Sequence, residues 1–158
     1  MKKVRDLMST DVVTVGLQDN VYEIALKMKR NDIGFIPVVD GRKLVGVVTD
    51  RDLVIRGYAE KRSGSAAVSE VMSTGVTTVS PDTSVDEAAE IMAREKIRRL
   101  PVVENGDLVG VLAIGDLAVR KHFKDEAGDA LSEISENTYK GYDREPAPAE
   151  RSEYAGIK

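Results

Sequence analysis

An internal repeat is the feature of this sequence that most constrains its fold. The stretch LVGVVTDRDL, residues 44–53, returns 64 positions later as LVGVLAIGDL, residues 108–117. With the same offset, residues 4–53 align with residues 68–117 without a gap, and 22 of the 50 paired positions are identical. A repeat of this length indicates two copies of one supersecondary unit, each too small to bury its apolar face alone. We therefore expect the two copies to pack on each other and to share a core.

Both copies show the same predicted elements, in the order strand, helix, strand, strand, helix. In the first copy, the apolar run VVTV predicts a short buried strand, and apolar residues at 3, 4, 7 spacing predict an amphipathic helix with Asn20 as its N-cap. A hairpin of two buried strands and a second helix follow. The order predicts an α+β fold in which the copies form a pseudo-two-fold pair. The predicted ranges are 12–15, 21–30, 36–39, 44–48 and 49 to about 56 in the first copy, and 76–79, 85 to about 96, 100–103, 108–112 and 116 to about 121 in the second.

The sequence divides into four parts. Residues 1–56 contain the first copy and residues 68–122 the second. Residues 57–67, GYAEKRSGSAA, are polar and small, which is typical of a mobile linker. Residues 123–158 predict one more short helix, at 125–135, followed by a polar tail that is ordered only where something holds it.

The composition excludes several kinds of site. The chain has no Cys and one His, which excludes disulfides, thiolate metal sites and a multi-histidine metal centre. The net charge of −4 argues against strong non-specific binding to nucleic acid. The charged N-terminus does not resemble a signal peptide, and no apolar run approaches the roughly 20 residues of a membrane span. The composition predicts a soluble cytoplasmic protein without a bound metal.

The segment from Gly46 to Asp52 is the first candidate for a binding site. A strand that ends in Gly-x-x-Thr and continues into a helix places the Thr49 hydroxyl at the helix N-cap and Asp52 in the first turn. Asp52 would repel phosphate, but its carboxylate can accept two hydrogen bonds from a ribose diol, while Thr49 and free backbone N–H groups reach the phosphate. The same spacing fits a capping box that stabilises the helix by about 1 kcal/mol. From these residues alone, capping is the favoured interpretation.

The two copies differ in complementary ways. The second copy has Ala113 where the first has Thr49, so it lacks the hydroxyl but keeps Asp116. The second copy has Arg98 and Arg99 where the first has Gly34 and Phe35. An adjacent arginine pair is usually a solvated pair, and in a regular strand the two side chains would point to opposite faces. The two arginine side chains can reach the same site only if the predicted strand begins after Arg99.

The doubled pattern resembles a known family over about residues 4–120. The segments IPVVDGRKLVGVVTDRDL and RRLPVVENGDLVGVLAIGDL, each preceded by MST and a helix, closely resemble the CBS domain, named from cystathionine β-synthase. CBS domains occur as tandem pairs. The resemblance implies a disc-like module with two clefts between the copies, and in this family the clefts often bind AMP, ADP, ATP or S-adenosylmethionine.

The resemblance also implies how residues are shared between the clefts. In nucleotide-binding relatives, the Thr-x-x-Asp comes from one copy and the basic pair and leading strand from the other. If this chain shares that arrangement, the first cleft uses Thr49 and Asp52 for ribose and the backbone of Val76 and Thr77 for adenine. Arg98 and Arg99 are then the residues for phosphate. The second cleft would contain Val12, Val13, Phe35 and Asp116, with no hydroxyl and no cation, and with Phe35 as a plug. We therefore predict one competent site and one degenerate cleft.

The predicted function is an adenine-nucleotide-sensing regulatory module that is not an enzyme. The sequence has no arrangement of a nucleophile beside a base, so we expect no catalysis. We also expect that the protein requires no cofactor. The expected ligand is AMP, ADP or ATP, with S-adenosylmethionine as a further candidate. The resemblance also implies a homodimer, and a separate effector protein would receive the signal when ligand shifts the packing of the copies. Two alternatives remain open: a ligand-free dimeric scaffold, and a nucleotide-dependent binder of nucleic acid, which the acidic net charge disfavours.

Overall fold

The computed structural model describes residues 1–119, 128–131 and 134 of the chain. Their secondary structure confirms the mixed α+β architecture, and the order helix, strand, strand, helix occurs in both copies. The helices are α1 (Val4–Leu7), α2 (Val21–Asn31), α3 (Asp50–Asp52), α4 (Val85–Glu95) and α5 (Ile114–Val119), with a π-helix at Leu53–Tyr58 and a 3-10 helix at Val68–Glu70. The strands are β1 (Val15–Gly16), β2 (Phe35–Asp40), β3 (Lys43–Thr49), β4 (Arg99–Glu104) and β5 (Asp107–Ala113).

The five strands form one sheet in the order β1-β2-β3-β5-β4. Strands β2 and β3 form one antiparallel hairpin, and β4 and β5 form its counterpart in the second copy. Asn105 and Gly106 both have positive φ, which gives the second hairpin the tight turn that matches the twist of its strands. The two hairpins meet where Lys43 pairs with Asp107. The sheet therefore runs through both copies, with each hairpin as one half.

The predicted helices α2 and α4 begin and end as their sequences indicate. Asn20 caps α2 by accepting a hydrogen bond from the Glu23 backbone N–H at 2.9 Å. Ser84 caps α4 in the same way, accepting from the Glu87 N–H at 3.1 Å. The cap residue that follows each helix has left-handed backbone geometry. These matching ends show that the repeat extends to capping chemistry and not only to the apolar pattern.

Each copy contributes its leading residues to the core of the other copy. Val4 is fully buried among residues of the second copy, and its backbone N–H donates to the Thr83 carbonyl at 2.8 Å. In the reciprocal position, Val68 and Val71 are fully buried in the core of the first copy. This exchange means that neither copy has a complete core without the other, as the repeat length predicts.

Several predicted elements differ from the structure. The strand predicted at 12–15 is reduced to β1, and the strand predicted at 76–79 is reduced to a single bridge between Val79 and Val102. The second helix of the first copy is α-helical for only three residues before it becomes the π-helix. The strands are short because the residues that precede them make backbone hydrogen bonds to the opposite copy. Those residues therefore do not extend the strands of their own copy.

The segments on either side of the second copy are the predicted linker, residues 57–67, and the C-terminal residues from 123 onward. The predicted linker is fastened to the start of α2, where the Val21 and Tyr22 N–H groups donate to the Ala66 and Gly64 carbonyls, each at 3.0 Å. Residues 128–131 are helical, and Ala130 is buried in the core of the second copy. The rest of the helix predicted at 125–135, the end of the helix predicted to reach about residue 121, and the tail at 136–158 lie outside the described residues. Within the described part of the chain, no helix is long and apolar enough to cross a membrane.

Candidate functional site

Two clefts form where the leading segment of one copy lies against a hairpin strand of the other. In this article the leading segments are residues 9–13 and 73–77. Ser73 and Val47 exchange two backbone hydrogen bonds, at 2.8 and 3.0 Å. Ser9 and Val111 do the same at 2.9 and 3.0 Å, so the second contact repeats the first. Each cleft therefore has walls from both copies.

Glycine makes this close approach possible. A Cβ built on Gly46 would lie 2.7 Å from the Ser73 carbonyl oxygen, and a Cβ on Gly110 would lie 2.8 Å from the Ser9 carbonyl oxygen. Distances this short cannot be tolerated between a carbon and a backbone oxygen. The Gly in each LVGV segment is therefore required for the leading segment to reach the strand.

Thr49 and Asp52 form a capping box at the start of α3. The Asp52 N–H donates to the Thr49 hydroxyl oxygen at 3.1 Å, and the Thr49 N–H donates to Asp52 Oδ2 at 3.0 Å. The capping interpretation of these residues is thus observed directly. The capping box uses only Oδ2 of the carboxylate, and the Asp52 side chain keeps 16% of its surface exposed. The second oxygen, Oδ1, lies outside the capping box.

Arg56 contacts Asp52 of the first copy and Met72 of the second, and it was not among the residues expected from the sequence. Its Nε lies 3.9 Å from Asp52 Oδ1, and its Nη1 donates a hydrogen bond to the Met72 carbonyl at 2.8 Å. Met72 directly precedes the leading segment of the second copy. The spacing of four residues between Asp52 and Arg56, which favours an ion pair on a helix, was the available signal in the sequence.

Val76 and Thr77 follow Ser73 in the leading segment and are half-buried. Val76 lines a cavity of about 230 Å³ between this segment and β3. Its walls combine glycine with aliphatic side chains, and Thr49, Asp52 and Thr77 are not among its lining residues, which are Leu44, Val45, Gly46, Gly75, Val76, Thr78, Val103 and Gly106. The bridge at Ser73 brings the segment onto the strand that ends at Thr49, two residues beyond Val47.

The second cleft contains a cavity of about 210 Å³. All four residues predicted for this cleft line it: Val12, Val13, Phe35 and Asp116. Arg99 and Ser9 line it as well, which corrects the expectation that this cleft has no cation and no hydroxyl. Arg99 reaches it because β4 begins at Arg99 and pairs with Ala113 beside the start of α5. Phe35 forms part of the wall and does not fill the cleft.

Asp116 repeats half of the capping box. Its Oδ2 accepts a hydrogen bond from the Ala113 N–H at 2.8 Å, and Ala113 has no hydroxyl to complete the pair. Asp11 also lines the cavity, so two acidic residues and one arginine are among its lining residues. Asp11 and Ser9 could not be recognised as cleft residues from the sequence, because only the tertiary structure brings them beside the second copy.

Arg98 and Arg99 have different surroundings. Arg98 is exposed and precedes β4, and its backbone carbonyl accepts a hydrogen bond from the Ile114 N–H at 2.8 Å. Arg98 does not line either of the two cavities described above. Of the predicted basic pair, only Arg99 lies on the wall of a described cavity, and that cavity belongs to the second cleft.

A family model for the CBS domain matches the chain twice, at residues 4–57 and at residues 68–121. The chain belongs to the CBS domain family. CBS domain pairs are regulatory modules rather than catalytic ones. The two matched segments coincide with the repeat, and the resemblance seen in the sequence is confirmed.

Two curated relatives match most of this CBS pair and are themselves of similar length. The uncharacterized protein YlbB of Bacillus subtilis is 46% identical over 138 residues, which cover 86% of this chain and 93% of YlbB. The CBS domain-containing protein YhcV of the same organism is 44% identical over 135 residues, covering 85% of this chain and 96% of YhcV. In both cases the match spans nearly the whole length of the relative.

Two solved structures connect the fold to bound ligands. The CBS domain pair of protein MJ0100, in complex with 5′-methylthioadenosine and S-adenosyl-L-methionine, is 26% identical with a TM-score of 0.67, covering 75% of this chain and 94% of that one. Hypoxic Response Protein I, with two coordinated zinc ions, is 32% identical with a TM-score of 0.69, covering 75% of this chain and 98% of that one. Among the described residues of this CBS pair, no three His, Cys, Asp or Glu side chains form a group that could hold a metal ion.

Proposed function

We propose that this CBS pair is a regulatory module that binds an adenosine compound across its two copies. The observation that carries the proposal is the bridge between Ser73 and Val47, which brings the leading segment of one copy onto the strand that ends at the Thr49 capping box of the other. A ligand in this cleft would contact both copies at once. Its binding energy would therefore depend on how the copies pack, which is the requirement for a sensor.

The chemistry proposed for the first cleft follows from the groups that capping leaves available. Asp52 Oδ1 would accept a hydrogen bond from a ribose hydroxyl, and the Thr49 hydroxyl, which accepts in the capping box, still has a proton to donate. The backbone of Val76 and Thr77 would contact adenine. Arg99 lines the cavity of the second cleft, so Arg98 alone remains the proposed phosphate ligand of the first cleft. AMP, ADP and ATP are the proposed ligands, with S-adenosylmethionine as a further candidate.

The second cleft is a second candidate site. Its cavity of about 210 Å³ and the position of Arg99 on its wall favour this addition to the original proposal of one competent site. Asp11 and Asp116 outnumber Arg99 by one charge, so this cleft would favour a neutral or cationic adenosine compound over a polyphosphate. The complex of MJ0100 with 5′-methylthioadenosine and S-adenosyl-L-methionine supports ligands of this class for a CBS pair.

The proposed output passes through protein contacts. A homodimer contact and a separate effector protein would respond to the change in packing between the copies. A scaffold that binds no ligand is the competing function. It would need the same contacts between copies, but it would not need the capping groups to face a cleft.

Thermal unfolding with a panel of AMP, ADP, ATP, S-adenosylmethionine and GMP tests the proposal. A ligand at 100 times its Kd stabilises a protein by about 2.7 kcal/mol, and each kcal/mol raises the Tm of a domain of this size by about 2–4 °C. We expect a rise with at least one adenine compound and none with GMP. No rise with any adenine compound would favour the scaffold.

Variants then identify the cleft. Thr49→Ala removes the hydroxyl of the first cleft, and Thr49→Ser keeps it as the matched control. Asp116→Asn removes a charge from the second cleft and keeps an acceptor for the Ala113 N–H. Loss of the ligand effect in Thr49→Ala but not in Thr49→Ser assigns the first cleft, whereas loss only in Asp116→Asn assigns the second. Titration calorimetry on the wild type gives the number of sites per chain.

A further inference from the structure

Arg56 is the one side chain described above that joins the two walls of the first cleft. Its guanidinium donates to the Met72 carbonyl at 2.8 Å and lies 3.9 Å from Asp52 Oδ1. Asp52 belongs to the first copy, and Met72 immediately precedes the leading segment of the second. Because a guanidinium is planar with fixed donor directions, contact with one partner fixes the direction in which it can reach the other.

The contact between Arg56 and Asp52 is the part of this arrangement that a ligand would change. Oδ2 of Asp52 is held by the Thr49 N–H, so Oδ1 is the oxygen that a ribose hydroxyl would approach. At 3.9 Å the ion pair with Arg56 is at its long limit, and the Arg56 side chain is 49% exposed. An exposed ion pair of this length contributes little stability by itself. It can therefore be rearranged at low cost.

Arg56 also lies inside the π-helix, which differs from the matching element of the second copy. The Ala59 N–H donates to the Val54 carbonyl at 2.8 Å and the Arg62 N–H to the Gly57 carbonyl at 3.0 Å, so both bonds span five residues. The equivalent stretch of the second copy begins as the regular α-helix α5. π-helical turns are rare and often occur at functional sites.

The π-helix presents an apolar surface to solvent. Val54, Ile55 and Tyr58 are exposed, Tyr58 by 85%. Gly57, on the opposite side, is buried beside Val71 of the second copy. A change in the register of this helix would therefore alter both the exposed apolar surface and the contact with the second copy.

We propose that Arg56 is a positioning residue that couples occupancy of the Asp52 cleft to the conformation of the π-helix. A ligand that engages Asp52 Oδ1 changes the contact of the carboxylate with Arg56. Arg56 remains bonded to Met72 and transmits the change to the helix that carries it. The inference rests on the proposed function, since it names the regulation of the same site.

Hydrogen exchange of single backbone amides, measured by NMR on the full chain with and without AMP, tests this coupling. The reporters are the Ser73 N–H, which bonds to Val47, and the Ala59 N–H, which closes the π-helical turn. In the wild type, saturating AMP is expected to change the exchange rates of both amides. In Arg56→Gln, AMP is expected to change the rate at Ser73 only.

Two further variants separate coupling from simple structural damage. Arg56→Lys keeps the charge beside Asp52 but not the planar pair of donors, so we expect it to bind AMP with near wild-type affinity and to lack the response at Ala59. Arg62→Gln removes another exposed arginine near the same helix and should behave as the wild type. A wild-type response at Ala59 in Arg56→Gln would overturn the proposal.

The outcome without ligand distinguishes failure of the inference from failure of the proposed function. Loss of a hydrogen bond from a charged donor should speed exchange of the Ser73 and Ala59 amides by about tenfold in Arg56→Gln, relative to Arg62→Gln. If AMP, ADP, ATP and S-adenosylmethionine all fail to bind the wild type, the proposed function fails, and the coupling to ligand fails with it, even if this acceleration is observed. If a ligand binds the wild type, but Arg56→Gln neither speeds exchange without ligand nor removes the response at Ala59, only the inference on Arg56 fails.

Discussion

The substitution Gly46→Ala tests whether contact between a leading segment and a hairpin strand builds the first cleft. The added Cβ would lie 2.7 Å from the Ser73 carbonyl oxygen and 3.0 Å from the Met72 sulfur. Carbon and oxygen atoms in proteins approach to about 3.3–3.6 Å even in their closest favourable contacts. The Ser73 carbonyl must therefore move by roughly 0.6 Å or more.

That movement disrupts the two backbone hydrogen bonds between Ser73 and Val47. A hydrogen bond contributes about 0.5–1.5 kcal/mol to stability, so losing both costs about 1–3 kcal/mol. Alanine offsets part of this loss, by about 0.5–1 kcal/mol, because it lowers the conformational entropy of the unfolded chain relative to glycine. We expect a net loss of up to about 2.5 kcal/mol, with a midpoint of about 1 kcal/mol, measured as a decrease in the free energy of unfolding in urea.

Gly115→Ala is the matched control, because a Cβ at Gly115 in α5 would meet no atom within 4 Å. Alanine is about 1 kcal/mol better than glycine inside a helix, so this variant should be more stable than the wild type. Gly46→Ala should also speed exchange of the Ser73 N–H, whereas Gly110→Ala should speed exchange of the Ser9 N–H in the second cleft. An unchanged Ser73 amide in Gly46→Ala, with wild-type stability, would refute the steric argument.

Three further predictions concern capping, the C-terminal helical residues and pH. Asn20→Ala should lower the free energy of unfolding by about 1 kcal/mol because it removes the N-cap of α2, while Asn20→Asp should preserve it. Ala130→Glu should lower the Tm by several degrees because it buries a charge in the core of the second copy, and a wild-type Tm would show that this helical segment is not docked there in solution. The Arg5 guanidinium holds the pKa of Asp82 below its usual value, so the stability from this pair is present above about pH 4 and is lost as the pH falls through the pKa of the folded state. The Tm difference between wild type and Asp82→Asn should therefore shrink with acidification, and a constant difference from pH 7 to pH 2 would contradict the assignment.

The elements that could be predicted are those fixed by local interactions. The hairpins follow from two apolar runs around a polar turn, and α2 follows from its apolar spacing and the Asn20 cap. The capping box of Thr49 and Asp52 was one of two interpretations of a four-residue spacing, and the structure contains it. Each of these interactions joins residues that lie a few positions apart, so the local sequence contains all the information they need.

The interactions that were missed join residues far apart in the chain. The leading segment around Val76 has the composition of a strand, but the bond between Ser73 and Val47 directs it to the other copy, which leaves only the bridge at Val79. Arg99 was expected in the first cleft, and it lines the cavity of the second because the start of β4 lies beside the start of α5. Position in the sequence does not reveal which of two similar clefts a residue faces.

The sequence by itself determined the duplication, the α+β order of elements and the membership of the CBS domain family, because all three are present as patterns along the chain. Only the tertiary structure decided which residues share a cleft and that Arg56 joins Asp52 to Met72. The physical reason is the near equivalence of the two copies. A repeat gives each leading segment two similar hairpin strands to choose from, and the choice depends on packing between copies rather than on the sequence of either one.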